Sequence, residues 1–215
     1  NIKTILKKTS LAKSGGKSCL NSIKFSHMLF DSEIAPAPAS SESQALSLKP
    51  KKQLDIIGGP KVLAAKIPQL EQEQLIHFVT RGSWSSHQLI SHLLQHIGPA
   101  HLILSTWSMT EDPCRALLNL KLKGQLLSAS CILSERISER TPTVFQLAQN
   151  VFQPLKLAKL HAKVCLLYNN QWQVVVLGSA NLTRNPKTEV GIIDTHPQSF
   201  QFHYKWMQDE LAKAK

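Results

Sequence analysis

The chain is 215 residues long, with 25 Lys and Arg against 14 Asp and Glu and a formal net charge of +11 at pH 7. That length fits one domain of about 150 residues plus an appendage. No apolar run reaches the ~20 residues that cross a bilayer, so stable membrane insertion is not expected. The basic excess is shared between residues 1–58 and the remainder, which favours polyanionic partners, nucleic acid or an anionic surface. Cys19, Cys114, Cys131 and Cys165 show no C-x-x-C spacing, which predicts free thiols and a compartment that is reducing or indifferent; a cytoplasmic location is expected.

In chain order, residues 1–60 read as a disordered basic leader and linker. KKTSLAKSGGKS and APAPASSESQ are too polar or too rich in Gly, Pro and Ser to offset the cost of ordering. IKFSHMLF between them is a short amphipathic patch, and Lys49 to Lys52 carries a basic cluster. The chain opens on Asn1 rather than Met, which reads as a fragment or processed product, and lysines interrupt any signal-peptide core. Order is expected from about Val62, so residues 61–215 form the folded domain.

Leu70 to Phe78 is compatible with helix or strand, and Arg81 to Trp84 with a turn. Leu89, Ile90, Leu93, Leu94 and Ile97 then recur at helical spacing between a serine cap and Gly98. His101 to Trp107 reads as a buried parallel strand. A second helix runs from Asp112 to Leu122, with a strand from Leu126 to Leu133 and a helix from Thr143 to Asn150. Leu160 to Tyr168 and Trp172 to Leu177 form a hairpin around Asn169 to Gln171. Glu189 to Ile193 is a third strand, and an amphipathic helix begins at Pro197. Helices alternating with buried strands, followed by a hairpin sheet, predict an α/β fold with a mixed sheet flanked by helices on both faces.

The hairpin carries the candidate chemistry. His161 and Lys163 are two apart, so on a strand their side chains share a face. Ser179 and Asn181 repeat that relation in Gly178-Ser179-Ala180-Asn181, and Glu189 follows. An imidazole can attack or protonate near neutral pH. A lysine, a hydroxyl and an amide supply donors to phosphoryl oxygens as charge builds on them. Arg184 and Lys187 lie in the next loop, where they are candidates for phosphate-backbone contacts. Ser105 to Ser108 and Glu111 are candidates for a substrate wall. Trp84 and Trp107 flank element ends, as packing residues or as stacking platforms. His92 and His96 have a spacing that Zn²⁺ accepts, but with no H-E-x-x-H glutamate or nearby third ligand they read as surface histidines, and no metal is assigned.

H-A-K…G-S-A-N-L-T resembles the HKD signature of the phospholipase D superfamily, H-x-K-x4-D-x6-G-S-x-N. The likeness is close from Leu160 to Ile193 and extends from about Leu75 to the C-terminus as a pattern of elements. It implies a phospholipase D-like fold and a metal-independent phosphodiesterase, foremost a nuclease, that needs no cofactor. By the same resemblance His161 falls on the nucleophile that forms a phosphohistidine, and Lys163 on the phosphate-binding lysine. Ser179 and Asn181 fall on oxyanion donors, and Glu189 resembles the glutamate that orients a histidine. Small single-motif nucleases of the superfamily pair two copies, so a homodimer is implied. Phospholipid is the alternative substrate, and a non-catalytic nucleic-acid-binding module the alternative of another class. Two departures stand out: Tyr168 occupies the family's Asp position, and nine residues rather than six then precede Gly178.

Overall fold

A computed structural model describes residues 46, 48, 52–57, 63, 67, 69–184 and 186–213. The strands are β1 Lys52–Ile57, β2 Gln74–Val79, β3 Ala100–Thr106, β4 Leu126–Ser134, β5 Leu155–Ala158, β6 Val164–Tyr168, β7 Gln173–Gly178 and β8 Val190–Asp194. The helices are α1 Ser86–Ile97, α2 Glu111–Leu122, α3 Ile137–Arg140, α4 Pro142–Val151 and α5 Pro197–Ala212. All eight strands join one sheet in the order β1-β2-β8-β7-β6-β3-β4-β5. The pairs β1/β2, β3/β4 and β4/β5 are parallel, and the others antiparallel.

Alternating side chains feed two cores, because successive residues of a strand point to opposite faces. Leu102 and Leu104 of β3, with Cys131, Leu133, Cys165 and Leu167, pack under α1, α2 and α4. Ile103, Ile132, Leu166 and Val175 meet Phe200 and Met207 of α5 on the opposite face. Apolar residues therefore run almost continuously along β3 and β6, as strands covered on both faces require. α1 starts where Ser85 N donates to Gln88 Oε1 at 2.9 Å, one half of a capping box. It ends at Gly98, whose φ of 78° with ψ of −170° is a backbone conformation that glycine adopts without a Cβ penalty.

The expected α/β architecture is present, and the differences have local causes. β1 lies inside residues 1–60, read as leader, so the sheet begins ahead of residue 61. Its KQLDII was overshadowed by the flanking lysines and Gly58-Gly59-Pro60. The rest of that leader, apart from Leu46 and Leu48, lies outside the described residues. β2 resolves the helix-or-strand alternative, because its pairing with β8 supplies ladder partners that no local signal reveals. α3 and β5 were not anticipated; both are four residues long, too short for a periodic pattern to register. β6 starts at Val164 rather than Leu160, so His161 and Lys163 precede the strand. There the Ser105 hydroxyl replaces the ladder, accepting from Val164 N at 3.1 Å and donating to Ala162 O at 3.3 Å.

Candidate active site

One rim of the sheet gathers the candidate residues. β2, β3, β4 and β7 end there, and β6 and β8 begin there, because β6 is antiparallel to β3 and β7, and β8 to β2 and β7. The register pairs Val164 with Leu177, Gly178 with Gly191 and Val79 with Val190. Thr80, Trp107, Lys163, Ser179 and Glu189 therefore follow or precede neighbouring strand ends.

His161 is exposed and Lys163 half-buried. Lys163 Nζ donates to His161 O at 2.7 Å and lies 3.2 Å from the imidazole Nδ1 and 3.4 Å from Nε2. Burial pulls the Lys163 ammonium below the ordinary lysine range, while the Glu189 carboxylate opposes that shift. The pair thus sets a cation beside an imidazole, with a carboxylate in electrostatic reach.

Ser179 and Glu189 meet across the β7–β8 turn. The Ser179 hydroxyl donates to Glu189 Oε2 and accepts from Val190 N at 3.1 Å, while Ser179 N donates to Val190 O at 2.9 Å. A Cβ on Gly178 would come within 2.9 Å of that same Val190 oxygen, a physical reason for Gly immediately before Ser. Asn181 is anchored through its backbone, Ser86 Oγ donating to its main-chain carbonyl oxygen at 3.1 Å; its Oδ1 lies 3.4 Å from Thr106 Oγ1, whose proton goes to Ser108 O at 2.8 Å.

The two loop cations are placed differently. Arg184 pairs with Asp112 at 3.3 Å, both side chains largely exposed, a contact worth little to stability. It borders a polar cleft of about 560 Å³ shared with Ser83, Ser85, His87 and Gln88. Lys187 is exposed on the same loop. A smaller, mostly apolar cavity of about 50 Å³ lies under the rim, bordered by Lys163, Gly178, Thr106 and Trp84. The Trp84 indole N–H is buried without a hydrogen-bond partner.

Thr80 was missed by sequence reasoning. It is 3% exposed, its Oγ1 accepts from Glu189 N at 3.0 Å, and its own N donates to Glu189 O at 2.8 Å. It thereby holds the Glu189 backbone, a link visible only once β2 is paired with β8. Arg140 was also missed; its guanidinium lies over the Trp107 ring. His92 and His96 approach with their Nε2 atoms 3.1 Å apart. Among the described residues no three His, Cys, Asp or Glu side chains group as metal ligands, and no helix is long and apolar enough to cross a membrane.

The mixed sheet covered by helices on both faces is a fold this chain shares with a solved phospholipase D family member. The phospholipase D family member Nuc from Salmonella typhimurium matches 66% of this chain and 95% of its own, with a TM-score of 0.50 and 18% identity. NucT from Helicobacter pylori matches 64% of this chain and 94% of its own, with a TM-score of 0.49 and 17% identity. No protein-family model matches the sequence. No curated protein matches it.

Proposed function

We propose that this protein is a metal-independent phosphodiesterase acting on nucleic acid through His161, in a site completed by a second copy of the chain. The observation that carries the reading is the joint rim position of His161–Lys163 and Ser179–Glu189, two linked pairs at adjacent strand ends. His161 attacks phosphorus and forms the N–P bond as the P–O bond to the leaving group breaks. An imidazole from the second copy gives that oxygen its proton. Water then attacks the phosphohistidine, its proton passing to the second imidazole, and His161 is released.

Lys163 and the Asn181 amide stabilise the phosphoryl oxygens as charge accumulates. Ser179 has one hydroxyl proton, which it gives to Glu189 in the free chain. Its donation to a phosphoryl oxygen requires that bond to open. One His-x-Lys supplies a nucleophile on one side of phosphorus, and the opposite side requires the mate's. Thr183, Arg184, Pro186 to Thr188 and exposed Val190 form the proposed contact. Nucleic acid is favoured as substrate by the net charge of +11 and by Arg184 and Lys187 on that loop.

Hydrolysis of bis(p-nitrophenyl) phosphate in excess chelator tests the chemistry, and mixing with His161→Ala chains tests the assembly. Activity should persist in chelator, vanish in His161→Ala and fall below simple dilution when mutant chains exchange in. Loss in chelator with recovery on adding a divalent ion would overturn the metal-free mechanism. A monomer immune to mutant chains would overturn the composite site. Parallel assays on DNA, RNA and phospholipid vesicles assign the substrate.

A further inference from the structure

We propose that Trp107, backed by Arg140, is a positioning residue that holds the His161 imidazole in its attacking orientation; the inference rests on His161 being the nucleophile. His161 lies on the segment between β5 and β6, outside the ladder, and its side chain is exposed. A ring so placed has several rotamers open to it unless neighbours remove them. Lys163 does not do this alone. Its Nζ is 3.2 and 3.4 Å from the two ring nitrogens, so it does not single out one of them.

Trp107 supplies what is missing. It directly follows β3, and its ring centroid lies 5.7 Å from that of His161 at an interplanar angle of 53°, inside the range for interacting aromatic rings. The Arg140 guanidinium carbon sits 5.4 Å from the Trp107 centroid, within cation–π distance. Arg140 closes α3, so three separate elements converge: the end of β3, the end of α3 and the segment before β6. Trp107 is only half-buried, so core packing does not explain its place. With Arg140 over the ring and His161 against it, a base-stacking platform is the poorer description. The arrangement is a clamp, in which Arg140 fixes Trp107 and Trp107 fixes the imidazole.

Displacing a reacting group by about 1 Å can cost on the order of 10²-fold in rate. Trp107→Ala should therefore lower kcat on bis(p-nitrophenyl) phosphate by about 10- to 100-fold, with KM changed less than about twofold. Trp107→Phe keeps an aromatic ring and should recover most of the loss. Arg140→Ala should lower kcat by a smaller factor. A raised KM at unchanged kcat would instead make Arg140 a phosphate contact and remove it from the clamp. The second readout needs no activity: the His161 ring-proton resonance should carry a ring-current shift that Trp107→Ala removes, in protein whose circular dichroism shows it folded. His161→Ala inactive with Trp107→Ala fully active and the His161 resonance unmoved would overturn the clamp alone. Full activity in His161→Ala would overturn the nucleophile first, and the clamp's catalytic role with it.

Discussion

Thr80→Val separates support of the site from its chemistry. The two side chains have nearly the same shape, but valine lacks the Oγ1 that accepts from Glu189 N at 3.0 Å and Gly82 N at 3.2 Å. Thr80 is 3% exposed, so valine fills the space while two amides lose their acceptor. A buried donor left unpaired costs about 1–3 kcal/mol. Both amides are only partly buried, so water recovers some of that, and the total should be about 1–3 kcal/mol rather than twice it. The backbone bond from Thr80 N to Glu189 O at 2.8 Å survives, so β2 and β8 should stay paired. The Glu189 carboxylate should nevertheless lose its fixed relation to Ser179 and Lys163, lowering kcat more than folding. Urea unfolding gives the first quantity as a midpoint shift at constant slope, and phosphodiester turnover gives the second. Thr80→Ser keeps the acceptor and should restore both. Stability within about 0.5 kcal/mol of wild type, together with full turnover in Thr80→Val, would refute the reasoning.

Two further outcomes are expected. Burial lowers the pKa of His87, His92 and His203 below the ordinary 6.5, with Arg184 adding to the effect at His87 and His96 at His92. Such groups take up protons at lower pH in the folded chain than in the unfolded one. Stability should thus fall as pH drops through about 6.5, with a slope well under the roughly 1.4 kcal/mol per pH unit per histidine of a fully shielded group, because solvent screens these incompletely buried rings. Urea midpoints from neutral to mildly acid pH should show this, with a shallower slope in His92→Gln; a midpoint that rises on acidification would contradict it. Tyr168→Asp, which places the letter of the resembled pattern there, should destabilise the protein by about 1–3 kcal/mol through lost aromatic packing without raising turnover; a gain in turnover would show that this position acts on the site.

The parts of the fold that were legible are those whose signal is local. α1 announces itself by five apolar residues at helical spacing between Ser85 and Gly98, and the β6–β7 hairpin by two apolar runs around Asn169-Asn170-Gln171. Asn169 does what its position suggests, its Oδ1 accepting from Gln171 N and Trp172 N, both at 2.9 Å. Not legible were relations between residues far apart in sequence. Thr80 meets Glu189, Ser86 meets Asn181, and Arg140 meets Trp107 only because the sheet brings those ends together. β1 and β5 are strands by virtue of their neighbours, and their short runs carry no period of their own. The start of β6 was misplaced because the Ser105 side chain, 1% exposed, took over a ladder bond that apolar patterning assigns to the backbone.

The two departures from the HKD pattern fall on the same side of a structural divide. Lys163 and Gly178 stand at the open end of the β6–β7 hairpin, where Gly178 N donates to Lys163 O at 3.3 Å. Tyr168 and the longer connection stand at the closed end. Five residues of strand separate Lys163 from Tyr168, about 16 Å at the usual rise, well beyond side-chain contact with the rim. There Tyr168 packs among His101, Phe200 and Tyr204, with ring centroids 5.0 to 5.7 Å apart. Burial raises its phenol pKa above the ordinary value. This is a slot in the α5-facing core, and a carboxylate there would face aromatic rings. The closed end is anchored separately, by Asn169 Nδ2 donating to Ile97 O at 2.8 Å and Pro99 O at 3.1 Å. Pairing of Val164 with Leu177 sets the spacing of the rim residues, and that pairing does not depend on how many residues close the turn. In this chain the stretch from Val164 to Leu177 therefore forms β6, the turn and most of β7, whereas His161, Lys163, Ser179 and Asn181 lie at the open end. The differences from the resembled pattern thus fall at the closed end of the hairpin, and the matching letters at its open end.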